Sequence, residues 1–204
     1  MKSVLISIRP KWCELIASGE KTIEVRKTYP KLPTPFRCYI YCTSVKSMNL
    51  QDYVAVHQAT GGAVDDWSGK VIGEFVCYHV TNLFLENHLW LSEEDVLHTC
   101  LTADELREYG CGANGLYGWH ISDLKIYDKP KELSEFAVAD KEAIRQCEYR
   151  EQSYYPFTDT GYIKNGFYCK VKDDWCFGGC KRKALARPPQ SWRYVEDNET
   201  EERR

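Results

Sequence analysis

Three charged side chains within six positions carry the strongest chemical signal in this sequence. They are Lys21, Glu24 and Arg26, inside the run from Gly19 to Arg26, Gly-Glu-Lys-Thr-Ile-Glu-Val-Arg. Lysine and arginine hold a phosphate or carboxylate, arginine in a two-pronged fashion. A carboxylate between them can orient one cation, or accept from a base or ribose donor. The plain alternative is a half-buried strand that shows its charges to solvent and pairs Glu24 with a neighbour.

Other groups are less specific. Cys147, Cys169, Cys176 and Cys180 can together hold a structural Zn²⁺ tetrahedrally, although only Cys176 and Cys180 have the close spacing of a zinc knuckle. Buried thiols in a small satellite core are the alternative. Binding a ligand requires no cofactor. The five histidines, at positions 57, 79, 88, 98 and 120, form no pattern of a catalytic metal site. The glycines of residues 110–118 lack the Lys-Ser/Thr of a phosphate loop and punctuate a connection. Trp12, Tyr39, Tyr117 and Trp119 are the aromatics expected nearest the charged segment, where a ring can stack on a base for about 1–3 kcal/mol. Each also suits a core.

These groups need elements to position them. Residues 4–8, Val-Leu-Ile-Ser-Ile, read as a strand. Pro10 suits the first turn of a helix on which Trp12, Leu15 and Ile16 recur, and Gly19 ends it. Residues 22–27 alternate, Ile23 and Val25 on one face and Thr22, Glu24 and Arg26 on the other, which predicts a half-buried strand. Residues 37–43 and 71–80 read as further strands, and residues 46–69 as an insertion with little regular structure. Ser92 with Asp95 predicts a helix start, and Thr102 with Glu105 a second one of capping-box form. Residues 117–121 make another strand. A short helix is expected over 141–150.

The chain has 204 residues and a net charge of −3, so nothing global marks it as a nucleic-acid binder. The charge is uneven. Residues 1–140 carry 14 basic and 19 acidic side chains, and residues 141–195 carry 11 basic and 6 acidic. That asymmetry points to an anionic partner. The expected organisation is one domain over residues 1–136, a basic Cys/Tyr-rich extension over 137–195 and an acidic tail over 196–204. The N-terminus has no export signal and no segment is long and apolar enough to span a bilayer. The expectation is therefore a cytoplasmic protein with no membrane partner, whose ten cysteines are mostly buried thiols. The sequence leaves oligomeric state open.

The spacing G-x-K-x-x-E-x-R, between a helix and a strand, resembles the signature of the ASCH domain. Residues 7–12 (Ser-Ile-Arg-Pro-Lys-Trp), 39–43, 71–75 and 117–121 followed by Lys129-Pro130 resemble the rest of that domain in family order. Residues 187–196 resemble the tail of ASCH-containing proteins common in bacterial prophages. The resemblance covers residues 1–136. It implies an α+β fold, a PUA-like mixed β-barrel with peripheral helices, to which the small C-terminal extension is added. It also implies RNA or a nucleotide-like anionic ligand, held in a cleft lined by the signature segment. The expected contacts are Arg9, Trp12, Lys21, Thr22, Glu24, Arg26, Tyr117 and Trp119. Some ASCH relatives hydrolyse N4-acetylcytidine with a lysine and a threonine of this segment. Lys21 matches that lysine, whereas Glu24 stands at the threonine position, which changes the mechanism. Other relatives are described as ribonucleases. The alternative function is thus a hydrolase of a modified nucleoside or of RNA. Lys21 would stabilise developing charge there, with Glu24, or more weakly Glu74, as the base.

Overall fold

Alternating and apolar runs become strands, and the punctuated segments between them become short helices. The computed structural model describes residues 2–85, 88–89, 93–113, 115–140, 142–143, 146–148, 150–151, 157–158, 161–162, 167–169, 174–176 and 181–196. In chain order the main elements are β1 (Lys2–Ile8), α1 (Pro10–Ala17), β2 (Ile23–Arg26), β3 (Phe36–Cys42), α2 (Leu50–Ala59), α3 (Ala63–Trp67), β4 (Val71–Leu85), β5 (His88–Leu89), α4 (Glu93–Thr99), α5 (Ala103–Gly110), β6 (Leu116–Lys131) and β7 (Ala137–Ala139). Then follow β8 (Arg150–Glu151), β9 (Phe157–Thr158), β10 (Gly161–Tyr162), β11 (Phe167–Cys169), β12 (Asp174–Cys176), β13 (Arg182–Ala184) and β14 (Trp192–Glu196). The chain divides into two compact units. One comprises residues 3–133 and 187–194, the other residues 1–2, 134–186 and 195–204.

The larger unit is α+β. Its mixed sheet runs in the order β14, β1, β3, β4, β6, β2, with β5 hairpinned onto β4. β1 and β3 are parallel, Leu5 opposite Tyr39, joined across α1. The β3–β4, β4–β6 and β2–β6 pairs are antiparallel. The sheet is open, which corrects the expectation of a barrel. Beyond β2 comes α4, not another strand: Thr22 N donates to the His98 carbonyl at 3.1 Å. The core contains Val4, Ile6, Ile8, Ile16, Ile40, Ile72, Phe75 and Trp119. A smaller cluster of Val25, Leu83, Leu106 and Leu116 packs α5 against the sheet.

Residues 46–69 are more ordered than expected. Asn49 caps α2, its side-chain oxygen accepting from Asp52 N at 2.8 Å. In α2 only Val56 is buried, so the helix has little apolar periodicity to betray it. Val64 and Trp67 anchor α3. The capping box at Thr102 forms as expected: its hydroxyl accepts from Glu105 N at 3.2 Å and its own N–H reaches the Glu105 carboxylate at 2.7 Å.

In the smaller unit, β7 pairs antiparallel with β13, Val138 opposite Lys183, and β11 pairs with β8 and β12. Phe136, Val138, Leu185 and Val195 are buried there. Of the helix expected over 141–150, residues 142–143 are helical and Gln146 N bonds the Glu142 carbonyl at 3.0 Å, while Arg150 already belongs to β8; residues 141, 144, 145 and 149 lie outside the described residues.

Candidate functional site

Local sequence explains how the charged segment is presented. Pro10 opens α1 with its φ already helical. Gly19 closes it in the left-handed region, at φ 83°, where a Cβ would be strained. Lys21 N then bonds the Leu15 carbonyl at 2.8 Å, which tucks Lys21 under the end of the helix. β2 lies along β6, Glu24 opposite Trp119 and Val25 opposite Gly118. A Cβ on Gly118 would stand 2.8 Å from an Ile23 methyl and 2.9 Å from a Leu83 methyl, so only glycine lets β2 sit this close.

The three charged groups converge. Lys21 Nζ donates to the carbonyls of Ile23 at 2.8 Å and Thr99 at 2.6 Å, and lies 3.6 Å from Glu24 Oε2. Arg26 Nη2 donates to the Ser7 carbonyl at 2.6 Å and lies 2.9 Å from Glu24 Oε1. Arg26 Nη1 reaches Ser191 Oγ at 3.5 Å, and its buried Nε has no partner among the described residues. Lys21, Glu24 and Arg26 are 2%, 5% and 8% exposed. This corrects the half-buried strand: β2 is enclosed on both faces. The physical reason is the return of residues 187–194, where Ser7 Oγ donates to the Pro189 carbonyl at 2.6 Å and Ser7 N to the Ser191 carbonyl at 2.8 Å. Burial pushes the Lys21 amine below its ordinary pKa, and Glu24 opposes that shift.

Above this trio opens a cleft of about 860 Å³. That volume lies within the range of roughly 300–1,000 Å³ typical of small-ligand sites. Arg9 and Trp12 come to it from the start of α1, Thr43 and Ser44 from the end of β3, and Pro188, Pro189 and Gln190 from the returning segment. α5 contributes Glu105, Glu108 and Tyr109. Hydrogen bonds from the Thr102 backbone and hydroxyl hold the Glu105 carboxyl below its ordinary pKa. Trp12 is half-buried, with Lys21 Nζ 5.3 Å from its ring centre.

Of the residues expected at the site, the structure brings Arg9, Trp12, Lys21, Glu24 and Arg26 to this cleft. Others lie elsewhere. Thr22 uses its backbone to join α4 and β6, through His98 O and Ile121 N. Tyr117 rests its ring on Tyr29, centroids 4.6 Å apart. Trp119 is fully buried, edge-on to Phe36, because its strand position points into the core. Glu74 accepts from the Tyr127 hydroxyl at 2.6 Å, opposite Lys125 of β6, and does not line the cleft. Cys147 is half-buried, whereas the side chains of Cys169 and Cys176 and all of Cys180 lie outside the described residues. Among the described residues no cluster of three or more His, Cys, Asp or Glu side chains is placed to hold a metal. No helix among them is long and apolar enough to cross a membrane. Sequence reasoning missed Ser7, the α5 carboxylates and Pro188 to Gln190. The Pro-Pro-Gln pattern was the available signal for the last.

No family model matches the chain, and no curated protein sequence matches it. Solved structures do. A crystal structure of ASCH from Zymomonas mobilis is 19% identical, with a TM-score of 0.44 over 74% of this chain and 84% of that one. A serine-to-alanine mutant of the Zymomonas mobilis protein is 16% identical, with a TM-score of 0.49 over 96% of this chain and 89% of that one. A tyrosine-to-phenylalanine mutant gives 19%, 0.38, 75% and 88% for the same quantities. These ASCH structures are what the chain's fold is similar to, at low sequence identity.

Proposed function

We propose that this protein binds a nucleotide unit, free or within RNA, in the cleft above Lys21, Glu24 and Arg26. The observation that carries this reading is the charge arrangement at the bottom of the cleft. Two buried cations share one carboxylate, at 3.6 and 2.9 Å. Two basic side chains that face one carboxylate make an arrangement that suits an added anionic group beside Arg26. Arg9 adds an exposed cation at the rim. The α5 carboxylates suit the other end of a nucleotide, because exocyclic amino groups of bases donate to Glu. Calorimetry with nucleoside monophosphates and short RNA tests the reading. Arg26→Lys, which keeps charge but loses the fork, is expected to weaken binding at least several-fold. Parent protein that binds none of these at millimolar concentration overturns it.

A second reading, hydrolysis of a modified nucleoside or of RNA, has one observation in its favour. Burial pushes the Lys21 pKa below its ordinary value, with Glu24 opposing the shift, and shifted amines occur at catalytic sites. Two carbonyls and Glu24 already take the protons of that amine, which favours binding over chemistry. Mass spectrometry of N4-acetylcytidine and of RNA incubated with the protein decides: product formation lost in Lys21→Arg supports hydrolysis.

A further inference from the structure

We infer that the ligand is a strand of at least two nucleotides, because a second pocket adjoins the cleft and shares the Trp12 ring with it. This rests on the nucleotide-binding reading above. The second pocket has a volume of about 480 Å³ and lies between the first turns of α1 and α2. Arg9, Trp12 and Thr43 belong to both pockets, so these three form the ridge between them. Lys11 lines the second pocket alone, and Lys21 the first alone.

Each of those lysines holds its ammonium near the Trp12 indole, Lys11 at 5.0 Å and Lys21 at 5.3 Å from the ring centre. The two differ in freedom. Lys21 is buried and fixed by two carbonyls. Lys11 is exposed, and among the described residues it makes no ion pair or hydrogen bond. It can therefore leave the ring. A base entering the second pocket displaces the Lys11 ammonium and stacks on Trp12, an exchange of cation–π contact for base stacking. The displaced ammonium and the exposed Arg9 guanidinium, on the ridge, then meet the phosphate that links this base to the nucleotide in the main cleft. Among the described residues Asp52 is the carboxylate lining the second pocket, and Asn49 Nδ2 already donates to it at 2.7 Å. Asp52 and Asn49 thereby offer a fixed polar edge to a base in the second pocket.

The test measures binding of adenylate and cytidylate RNA of one, two and four nucleotides to the full chain. The expected result is a gain of about tenfold or more from one nucleotide to two, the size of one stacked base. Lys11→Ala, an exposed change that leaves the circular dichroism spectrum intact, is expected to cut that gain several-fold. Equal affinity for one and for four nucleotides overturns this inference and leaves the single-nucleotide reading standing. An undiminished gain in Lys11→Ala also overturns it. Failure of every length to bind overturns the nucleotide reading itself.

Discussion

Glu24 holds Arg26 by a 2.9 Å contact between Oε1 and Nη2, with both residues buried. The same carboxylate faces Lys21. Removing it leaves two buried cations facing each other without a counter-charge. Glu24→Ala is expected to destabilise the fold by about 3–5 kcal/mol, measured by urea unfolding. A loss below about 1 kcal/mol would mean that water reaches the trio freely.

Gly118→Ala probes the approach of β2 to β6. The added methyl meets Ile23 and Leu83 at under 3 Å. The expected cost is about 1–3 kcal/mol, with weaker ligand binding because β2 carries Glu24 and Arg26. A variant with parental melting temperature and affinity would show that the strand yields without consequence.

Acidification is expected to weaken the fold through His120. Its ring is 5.3 Å from that of His79, and Thr81 Oγ1 lies 2.6 Å from its Nε2. Burial first, and then His79, hold its pKa below the ordinary 6.5; His98 adds to this and Asp95 opposes it. The unfolded chain therefore takes up this proton at higher pH than the folded one. Stability from His120 is complete above pH 6.5 and declines as pH falls below it. Urea midpoints recorded from pH 7.5 to 5 are expected to fall, less steeply in His120→Gln. Identical slopes for the two proteins would remove His120 as the cause.

Thiol labelling separates the cysteines. Burial raises the thiol pKa of Cys13 and Cys38 well above normal, and that of Cys77 to about 12. Cys111 is exposed. Iodoacetamide at pH 8 is expected to modify Cys111 quickly in the native protein and Cys13 and Cys38 only after unfolding, read by peptide mass spectrometry. Labelling of Cys13 at the rate of Cys111 would contradict the closed core beneath α1.

Much of the site's frame was legible in local sequence. Pro10 and Gly19 bracket a helix, Thr102 and Glu105 cap another, and the alternation after Thr22 marks a strand, because each signal acts over a few residues. The trio's convergence follows from strand geometry and the helix turn before it. What alternation does not encode is what lies on each face. The polar face of β2 is covered by a segment more than 160 positions away, so its charges are interior rather than solvated. Trp119 looked like a stacking ring and is core, since an aromatic's type does not disclose which side of its strand is buried. α2 was missed because it buries a single valine and depends on its Asn49 cap.

The bond from Ser7 to Pro189 spans 182 positions, and this sets an order in time. A ribosome releases the sheet's first strands and α1 long before it releases the segment that covers Arg26. A nascent chain can thus build the scaffold early while its recognition surface is incomplete. The cleft is therefore among the last parts of the larger unit to be completed.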